Sequence, residues 1–275
     1  MEKEADYIER IEITSLWHDK NRIDWSLRPD VNILSGVNGM GKSTIINKAI
    51  KQLKIFNTHC VNNCPTEGVT FTFSPQDATY VHFDVIRSID RPLIDSSLLE
   101  KMSDPNVKTE LDWQLYQLQR LFLNYQVNIG NRIIEALTSS DPVEQAKAAT
   151  LSLPKKKFQD YIDEFFADTH KTIQRKKNEI FFEQGGETLH PYLLSSGEKQ
   201  ILVILLTALV EDERPGVLFM DEPEISLHIE WQQRLIAVVR DLNPNVQIIL
   251  CTHSPAVVMN GWMDSVTDIS DIIVA

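Results

Sequence analysis

The stretch GVNGMGKS, residues 36 to 43, constrains the fold of this 275-residue chain more than any other feature. It matches the pattern G-x-x-x-x-G-K-[ST] with Gly36, Gly41, Lys42 and Ser43. The apolar run VNIL precedes it, and the helix-forming run KSTIINKAIKQLKIF follows. Because the motif requires a strand before the loop and a helix after it, the pattern predicts a phosphate-binding loop in an α/β domain.

The residues of this loop are predicted to hold a nucleotide. Glycines let backbone N–H groups wrap the phosphates, and the helix N-terminus adds positive potential. Lys42 would reach the β- and γ-phosphates, and Ser43 would offer its hydroxyl to Mg²⁺. A glycine-rich turn before a helix is the competing interpretation. The predicted nucleotide-binding residues of the loop are Gly36, Asn38, Gly39, Gly41, Lys42, Ser43 and Thr44.

Two acidic residues follow a second apolar run, VLFM, in the stretch VLFMDEPE. A buried strand would deliver Asp221 and Glu222 to the carboxyl edge of the sheet, where ligands bind in open α/β sheets. We expect Asp221 to hold Mg²⁺, directly or through water, and Glu222 to polarise an attacking water as a general base. An acidic loop that caps the next helix is the alternative.

A histidine follows a third apolar run, VQIIL, in the stretch CTHSP. There the imidazole of His253 could hydrogen-bond a γ-phosphate. A lone histidine is more often structural, but its position, parallel to that of Asp221 on a neighbouring strand, favours a role in the site.

A second loop of the phosphate-binding kind, LSSGEKQ at residues 194 to 200, precedes a strongly apolar helix. Ser195 and Glu198 have the S-x-x-E spacing of a capping box, which predicts a well-capped helix. The two serines and the glycine also suit an anion at the helix start. Both interpretations remain open from the residues alone.

The order of these loops resembles the ABC-type ATPase superfamily. In that order come the phosphate loop (Walker A), LSSGEKQ (signature), MDEPE (Walker B), SLH (D-loop) and THS (H-loop). The resemblance covers both β-rich ends of the chain. It implies ATP and Mg²⁺ as ligands, with Lys42, Glu222 and His253 as the catalytic residues. Ser43 and Asp221 would then be the metal ligands.

The same resemblance implies a role for the signature loop. Ser196 and Gly197 would contact the ATP that a second subunit binds through residues 36 to 44. Two ATP molecules would then be sandwiched in a head-to-tail homodimer with twofold symmetry. The helix start would be an anion site that dimerisation completes.

The residues within the motifs favour one branch of the superfamily. LSSGEKQ lacks the Gly-Gly-Gln form usual among transporters, whereas THSP and PEISLH, with Ser226, Leu227 and His228, look like the SMC/RecF/OLD-type branch. Because the sequence ends soon after THSP, we expect the protein to lack the C-terminal nuclease domain of complete OLD-type proteins. We therefore expect a separate effector, a nuclease or toxin in bacterial anti-phage defence. A DNA repair or genome-maintenance ATPase is the alternative, and an ABC-transporter subunit is less favoured.

The predicted fold class is α/β, an ABC-type ATPase head with a mixed sheet, an antiparallel β portion and a helical insertion. One such domain over 1–275 would comprise a β-rich lobe at 1–94, the insertion at 95–180 and a C-terminal lobe with the other motifs at 181–275. In the first lobe GVTFTF and YVHFDVI are expected to pair as antiparallel strands. In the insertion TELDWQLYQLQRLFLNYQ and KKKFQDYIDEFFADTHKTIQRKKNEI are expected to be amphipathic helices.

Composition limits the partners and the compartment. A formal net charge of −12 excludes nucleic-acid binding by the surface as a whole, so DNA, a further candidate partner, would need a local basic patch. The densest basic clusters are KKK at 155–157 and RKK at 175–177, and a solvated mixed-charge face is the favoured alternative. Three cysteines, no secretory signal and a longest apolar run of 10 residues predict a cytoplasmic protein without a membrane partner.

Three further sets of candidates are weaker. His59, Cys60 and Cys64 form an incomplete ligand set for zinc, since no second cysteine pair exists. Gln76, or the chain near Arg87 and Ser88, is the candidate for the Q-loop of the superfamily. The candidates for its adenine-stacking aromatic residue are Trp17 and Trp25.

Overall fold

The computed structural model describes residues 3–16, 21–58, 68–87 and 106–274. The chain divides into two compact units. The first comprises Met1–Ser88, Arg214–Ile236 and Pro244–Ala275, and the second comprises Ile89–Glu213 and Ala237–Asn243. These boundaries differ from the predicted segments, because residues 181–213, with the signature loop, group with the helices of the insertion.

The secondary-structure elements alternate along the chain. The strands are β1 Glu4–Ala5, β2 Tyr7–Ile13, β3 Arg22–Ser26, β4 Val31–Ser35, β5 Val69–Ser74, β6 Tyr80–Val81, β7 Phe83–Arg87, β8 Thr172–Ile173, β9 Phe182–Gln184, β10 Glu187–Leu189, β11 Gly216–Asp221, β12 Val246–Cys251, β13 Val266–Asp268 and β14 Ile273–Val274. The α-helices are α1 Lys42–Thr58, α2 Glu110–Thr138, α3 Pro142–Lys147, α4 Leu153–Phe165, α5 Ser196–Val210, α6 Ile229–Leu242, α7 Pro255–Met259 and α8 Ile269–Ile272.

The first unit contains a parallel sheet in the order β13-β4-β12-β11-β7. Strands β4, β11 and β12 are buried along almost their whole length. Such continuous apolar runs are typical of parallel strands covered on both faces. Because all five strands are parallel, their carboxyl ends meet at one edge, and so do the loops that follow β4, β11 and β12.

The antiparallel sheet of the first unit has the order β14-β3-β2-β5. Its inward side chains, among them Ile11 and Trp25, form one apolar cluster with residues of α1 such as Ile45 and Leu53. Trp25 is only 1% exposed. It is therefore a core residue and does not offer a free face to stack on adenine, while the other candidate, Trp17, lies outside the described residues.

The predicted antiparallel pairing of GVTFTF with YVHFDVI is wrong. Strand β5 pairs with β2 in the antiparallel sheet, whereas β7 pairs with β11 in the parallel sheet. The intervening turn and β6, which pairs with β1, carry the chain from one sheet to the other. The short separation of two apolar runs favoured a hairpin, but the partner of a strand is decided by distant residues.

The helical part of the second unit packs around α5. Helix α2 begins with a capping box between Thr109 and Asp112 and is longer than the run that predicted it. Both α2 and α4 pack against α5, whose residues from Gly197 to Leu209 are all buried. A helix that is apolar all round belongs in a core. None of the helices in the described residues has both the length and the apolar character to span a bilayer.

The second predicted helix of the insertion ends early. Helix α4 stops at Phe165, and His170 has a left-handed backbone, with φ of 54°, at the end of a short 3₁₀ turn. The chain then forms a small antiparallel sheet in the order β10-β9-β8. The ring of Phe182, in β9, lies 5.4 Å from the ring of Phe166. The expectation of helix up to residue 180 is thus wrong, because these aromatic side chains are buried through a hairpin rather than along one helix face.

Candidate functional site

The phosphate-binding loop joins β4 to α1 in the first unit. Gly36 has φ of 143°, and a Cβ atom there would lie 2.6 Å from Ile269 Cγ2. Gly41, with φ of 95°, directly precedes the first residue of α1. L-residues with side chains rarely adopt such backbone angles, so the path of the loop depends on glycine at these positions.

The Lys42 side chain lies over the loop and is only 5% exposed at the residue level. Its ammonium donates to the carbonyl oxygens of Gly36, at 2.7 Å, and Val37, at 3.2 Å. A buried lysine needs such partners. The positive charge therefore lies within the loop, where the motif predicts contact with phosphates.

Ser43 and Asp221 meet at the start of α1. The Ser43 hydroxyl donates to Asp221 Oδ1 at 2.9 Å. Burial raises the pKa of the Asp221 carboxyl, while the Ser43 hydrogen bond acts in the opposite direction. A hydroxyl and a carboxylate are hard oxygen donors, the type that Mg²⁺ prefers. The two side chains therefore fit the metal role predicted for them.

Glu222 and His253 face each other across the ends of β11 and β12. His253 Nε2 lies 3.2 Å from Glu222 Oε1, and each side chain is about one-third exposed. Glu222 has a left-handed backbone, with φ of 49°, and its N–H donates to the Cys251 carbonyl at 2.9 Å. A non-glycine residue in this region carries strain, which is often retained where a side chain must be aimed. The pair is thus placed by the backbone and remains accessible to a ligand.

These groups surround one cleft of about 480 Å³ in the first unit. Its volume lies within the range of small-molecule sites. Two residues of the predicted nucleotide and metal site do not line the cleft, but they contact residues that do: Gly36 accepts from Lys42, and Asp221 accepts from Ser43. The residues that line the cleft are Asn38, Gly39, Gly41, Lys42, Ser43, Thr44, Glu222 and His253.

The signature loop, in the second unit, contains the capping box that its spacing predicts. The Glu198 N–H donates to Ser195 Oγ at 3.3 Å, and the Ser195 N–H donates to Glu198 Oε2 at 2.9 Å. The N–H groups of Ser196 and Gly197 are not part of this box. Ser196 is exposed and Gly197 is buried. The capped-helix interpretation is confirmed, and the contact of these two residues with a partner's ATP stays a prediction.

Two ion pairs hold the start of α5 within the second unit. Glu198 Oε1 accepts from Lys171 Nζ at 2.7 Å, and Lys199 Nζ lies 2.7 Å from Asp112 Oδ1. Burial by itself would raise the pKa of Glu198, but the bonds from Lys171, the Ser195 N–H and Thr169 hold it below its ordinary value. The helix start is therefore connected to α2 and to the segment that precedes β8.

Glu224, the last residue of the stretch MDEPE, also belongs to this region, although no sequence pattern predicted it. Its Oε1 accepts from the Thr252 hydroxyl and from the N–H groups of His253 and Ser254. The available signal was a third acid three residues after Asp221, on the short loop that carries Glu222. The D-loop residues Ser226, Leu227 and His228 follow on the same segment, before α6.

The candidates for the Q-loop separate in the structure. Gln76 is exposed in the turn that follows β5. Arg87 ends β7 directly opposite Asp221 in the register of the parallel sheet. Ser88 and the candidate zinc ligands His59, Cys60 and Cys64 lie outside the described residues.

The basic clusters lie among acidic residues. Arg175 pairs with Asp160 at 2.8 Å and also with Asp163, and Lys157 pairs with Asp241 at 2.8 Å. Such pairs lower the local positive potential that binding to a phosphate backbone requires. The mixed-charge interpretation of these clusters fits their surroundings better than a DNA contact does.

The fold is similar to that of Smc head domains. The structure is similar to a crystal structure of an Smc head bound to the C-terminal winged-helix domain of ScpA, with a TM-score of 0.50 and 14% identity over 92% of this chain and 91% of that one. An Smc head with an extended coiled coil, bound to the C-terminal domain of ScpA derived from Pyrococcus furiosus, gives a TM-score of 0.50 at 12% identity over the same shares. The predicted fold class is confirmed.

A family model described as "AAA domain, putative AbiEii toxin, Type IV TA system" matches residues 60–260, and the chain belongs to this family. Among its relatives, the Retron Vc95 probable ATPase of Vibrio cholerae serotype O1 biovar El Tor is 25% identical over 62% of this chain. The Retron Ec83 probable ATPase of Escherichia coli and the Septu protein PtuA of Bacillus thuringiensis are 31% and 30% identical, each over 31% of this chain. The matches span 35%, 18% and 23% of these relatives' own lengths.

Proposed function

We propose that this protein binds ATP and Mg²⁺ at the cleft of the first unit and hydrolyses ATP to ADP and phosphate. The supporting observation is the convergence of Lys42, the Ser43–Asp221 pair and the Glu222–His253 pair around that cleft. The similarity to two probable ATPases supports the same activity.

In the proposed reaction the loop N–H groups and Lys42 bind the phosphates and hold the terminal one in place. Mg²⁺, held by Ser43 and Asp221, would supply positive charge for the oxygens of the β- and γ-phosphates. Glu222 accepts a proton from water as the water oxygen attacks the γ-phosphorus and the bond to the β-phosphate oxygen breaks. His253 donates a hydrogen bond to the γ-phosphate and steadies it.

We further propose that ATP closes a head-to-tail homodimer, in which Ser196 and Gly197 of one subunit contact the ATP of the other. The exposed Ser196 suits such a contact. Large apolar side chains on the segments that follow β4, β11 and β12 are also exposed, and exposed apolar surface can mark an interaction site. These side chains are Val37, Ile225, Ile229, Met259 and Met263.

The dimer would switch a separate effector protein, a nuclease or toxin in bacterial anti-phage defence. The similarity to retron and Septu proteins supports this role, as does the family description, which includes a toxin. ATP hydrolysis would remove the phosphate that bridges the subunits and release the effector from its bound state. The similarity to Smc heads keeps a genome-maintenance ATPase as the second candidate.

The variant Glu222→Gln tests the proposal, because glutamine keeps the shape but cannot accept the proton. We expect hydrolysis to fall by about a hundredfold or more, while ATP binding persists and a closed dimer accumulates in ATP and Mg²⁺. Light scattering after size-exclusion chromatography measures the dimer, and phosphate release measures the rate. Glu230→Gln, an equal charge change at an exposed position of α6, is the matched control.

A Glu222→Gln variant that stays monomeric at saturating ATP and Mg²⁺ would refute the ATP-closed homodimer. A Glu222→Gln variant that hydrolyses ATP at the wild-type rate would refute the role of Glu222 as general base. The same tagged variant, purified from its native host in ATP and Mg²⁺, identifies the effector by mass spectrometry. A nuclease or toxin supports the defence role, repair proteins support the alternative, and a permease contradicts both.

A further inference from the structure

Glu224 connects the two loops that carry the catalytic side chains. It lies on the loop after β11, two residues beyond Glu222, and is only 7% exposed. Its Oε1 accepts the Thr252 hydroxyl and the N–H groups of His253, at 3.1 Å, and Ser254, at 3.3 Å. A single carboxylate oxygen thus binds the loop after β12 at three consecutive residues.

Gln232 of α6 completes this network from the other side. Its Oε1 accepts from Ser254 Oγ at 2.6 Å, and its Nε2 donates to the Leu227 carbonyl at 2.9 Å and to the Glu224 carbonyl at 3.3 Å. The loops after β11 and β12 are therefore joined by side chains as well as by the sheet. The network leaves the His253 imidazole outside it, where it faces Glu222.

The two carboxylate oxygens of Glu224 differ in their contacts. Glu224 Oε2 is buried and has no hydrogen-bond partner among the residues that the structure describes. A buried polar atom without a partner costs free energy, and such exceptions call for a functional explanation. The bonds to Oε1 offset this cost, and they hold the Thr252 hydroxyl and the backbone of His253 and Ser254.

We propose that Glu224 is a positioning residue, which holds the backbone of His253 so that the imidazole stands at the right distance from Glu222 and from the γ-phosphate. This inference rests on the proposed function, because it concerns the same hydrolytic site. Residues that hold a functional side chain in place, without contacting the ligand themselves, commonly contribute about tenfold to a hundredfold to activity.

The test compares Glu224→Ala with Glu224→Gln in the full chain. Alanine removes the acceptor, so we expect kcat for ATP to fall by about tenfold to a hundredfold. KM is expected to stay unchanged, because Lys42 and Ser43 keep their contacts. Glutamine retains an acceptor oxygen for the same three donors and is expected to restore most of kcat. Glu230→Ala, which removes an exposed acid of α6, is the control.

A double-mutant cycle separates positioning from a general structural effect. If Glu224 acts through His253, the double variant Glu224→Ala/His253→Ala is no slower than His253→Ala alone. Losses that multiply would overturn the proposal, as would a wild-type kcat in Glu224→Ala or a raised KM with unchanged kcat. If alanine prevents folding, Glu224→Asp replaces it, because the shorter side chain draws the oxygen away and is expected to lower kcat likewise.

A second readout does not depend on hydrolysis. In protein labelled with ¹⁵N-histidine, the imidazole resonances of His253, assigned through His253→Ala, should shift in Glu224→Ala and keep their positions in Glu224→Gln. Unshifted resonances in Glu224→Ala would overturn the inference even in a protein that hydrolyses ATP. If the wild-type protein does not hydrolyse ATP but the His253 resonances shift in Glu224→Ala, only the proposed function is contradicted.

Discussion

Two helices of this protein begin in loops rich in serine and glycine, yet their starts differ in chemistry. Helix α1 follows Gly41, begins at Lys42 and has no acidic residue in its first turn. Helix α5 follows Ser195 and has Glu198 in its first turn, joined to Ser195 by a capping box. The first start has a lysine and no acidic residue, whereas the second supplies its own acceptors.

This difference separates two uses of a helix N-terminus. Backbone donors that no side chain caps are available to an anion, and the helix dipole favours that anion. A capping box satisfies donors and stabilises the helix by itself, while its carboxylate disfavours a second anion nearby. The charge of Glu198 is balanced by Lys171, however, and Ser196 remains exposed. We therefore propose that the start of α1 binds an anion by itself, and that the start of α5 adds contacts to a ligand that is held elsewhere.

The largest expected effect is the loss of the cation at the first helix start. Lys42→Ala removes a charged donor to the phosphates, so we expect ATP to bind about a hundredfold more weakly. Isothermal titration calorimetry with ATP and Mg²⁺ measures the affinity. Lys54→Ala, at an exposed position of the same helix, is the control and should bind like the wild type. Equal affinity in the two variants would remove the distinction between the helix starts.

A smaller effect, confined to turnover, is expected at the second helix start. Ser196→Asp adds an acid at the first residue of α5, which the helix dipole tolerates, but it repels a γ-phosphate. We expect ATP affinity within about twofold of wild type, with ATP-dependent dimerisation and hydrolysis lowered by about tenfold. Calorimetry and light scattering give the two quantities. Weaker ATP binding at protein concentrations where the chain is monomeric would show that the signature loop contacts its own nucleotide.

The smallest effects concern stability, and they should have opposite signs at the two regions. The lowered pKa of Glu198 means that its charge stabilises the fold above about pH 4.5, a contribution lost as pH falls through the lowered value. Glu198→Gln should therefore lower the free energy of unfolding by about 2 kcal/mol at neutral pH and by less in acid.

The raised pKa of Asp221 means that its ionisation opposes folding above that pKa. Asp221→Asn should therefore raise the melting temperature at neutral pH.

Chemical and thermal unfolding at neutral and acidic pH test both signs, because each variant should converge on the wild type as the carboxyl becomes protonated. Asp221→Asn should also lose the effect of Mg²⁺ on ATP hydrolysis. A lower melting temperature for Asp221→Asn would mean that the carboxylate serves the fold rather than the ligand, and it would weaken the contrast between the two regions.

Much of the site was predictable because it follows from local patterns that share one geometric rule. Lys42, Asp221 and His253 each follow a run of apolar residues, and parallel strands end at one edge of a sheet. The capping box of Ser195 and Glu198 was predictable for a similar reason, since its two residues lie within one helical turn. Glu224 was not found, because its partner Thr252 is 28 residues away and no spacing rule connects them.

The sequence by itself determined the order of the loops, the residue types at the cleft and the apolar character of α5. Only the tertiary structure decided that β5 and β7 belong to different sheets, that α4 ends at Phe165 and that α5 packs with α2. The physical reason is the same in each case. Apolar periodicity indicates that a side chain is buried. Which neighbour buries it depends on packing between residues far apart in the chain.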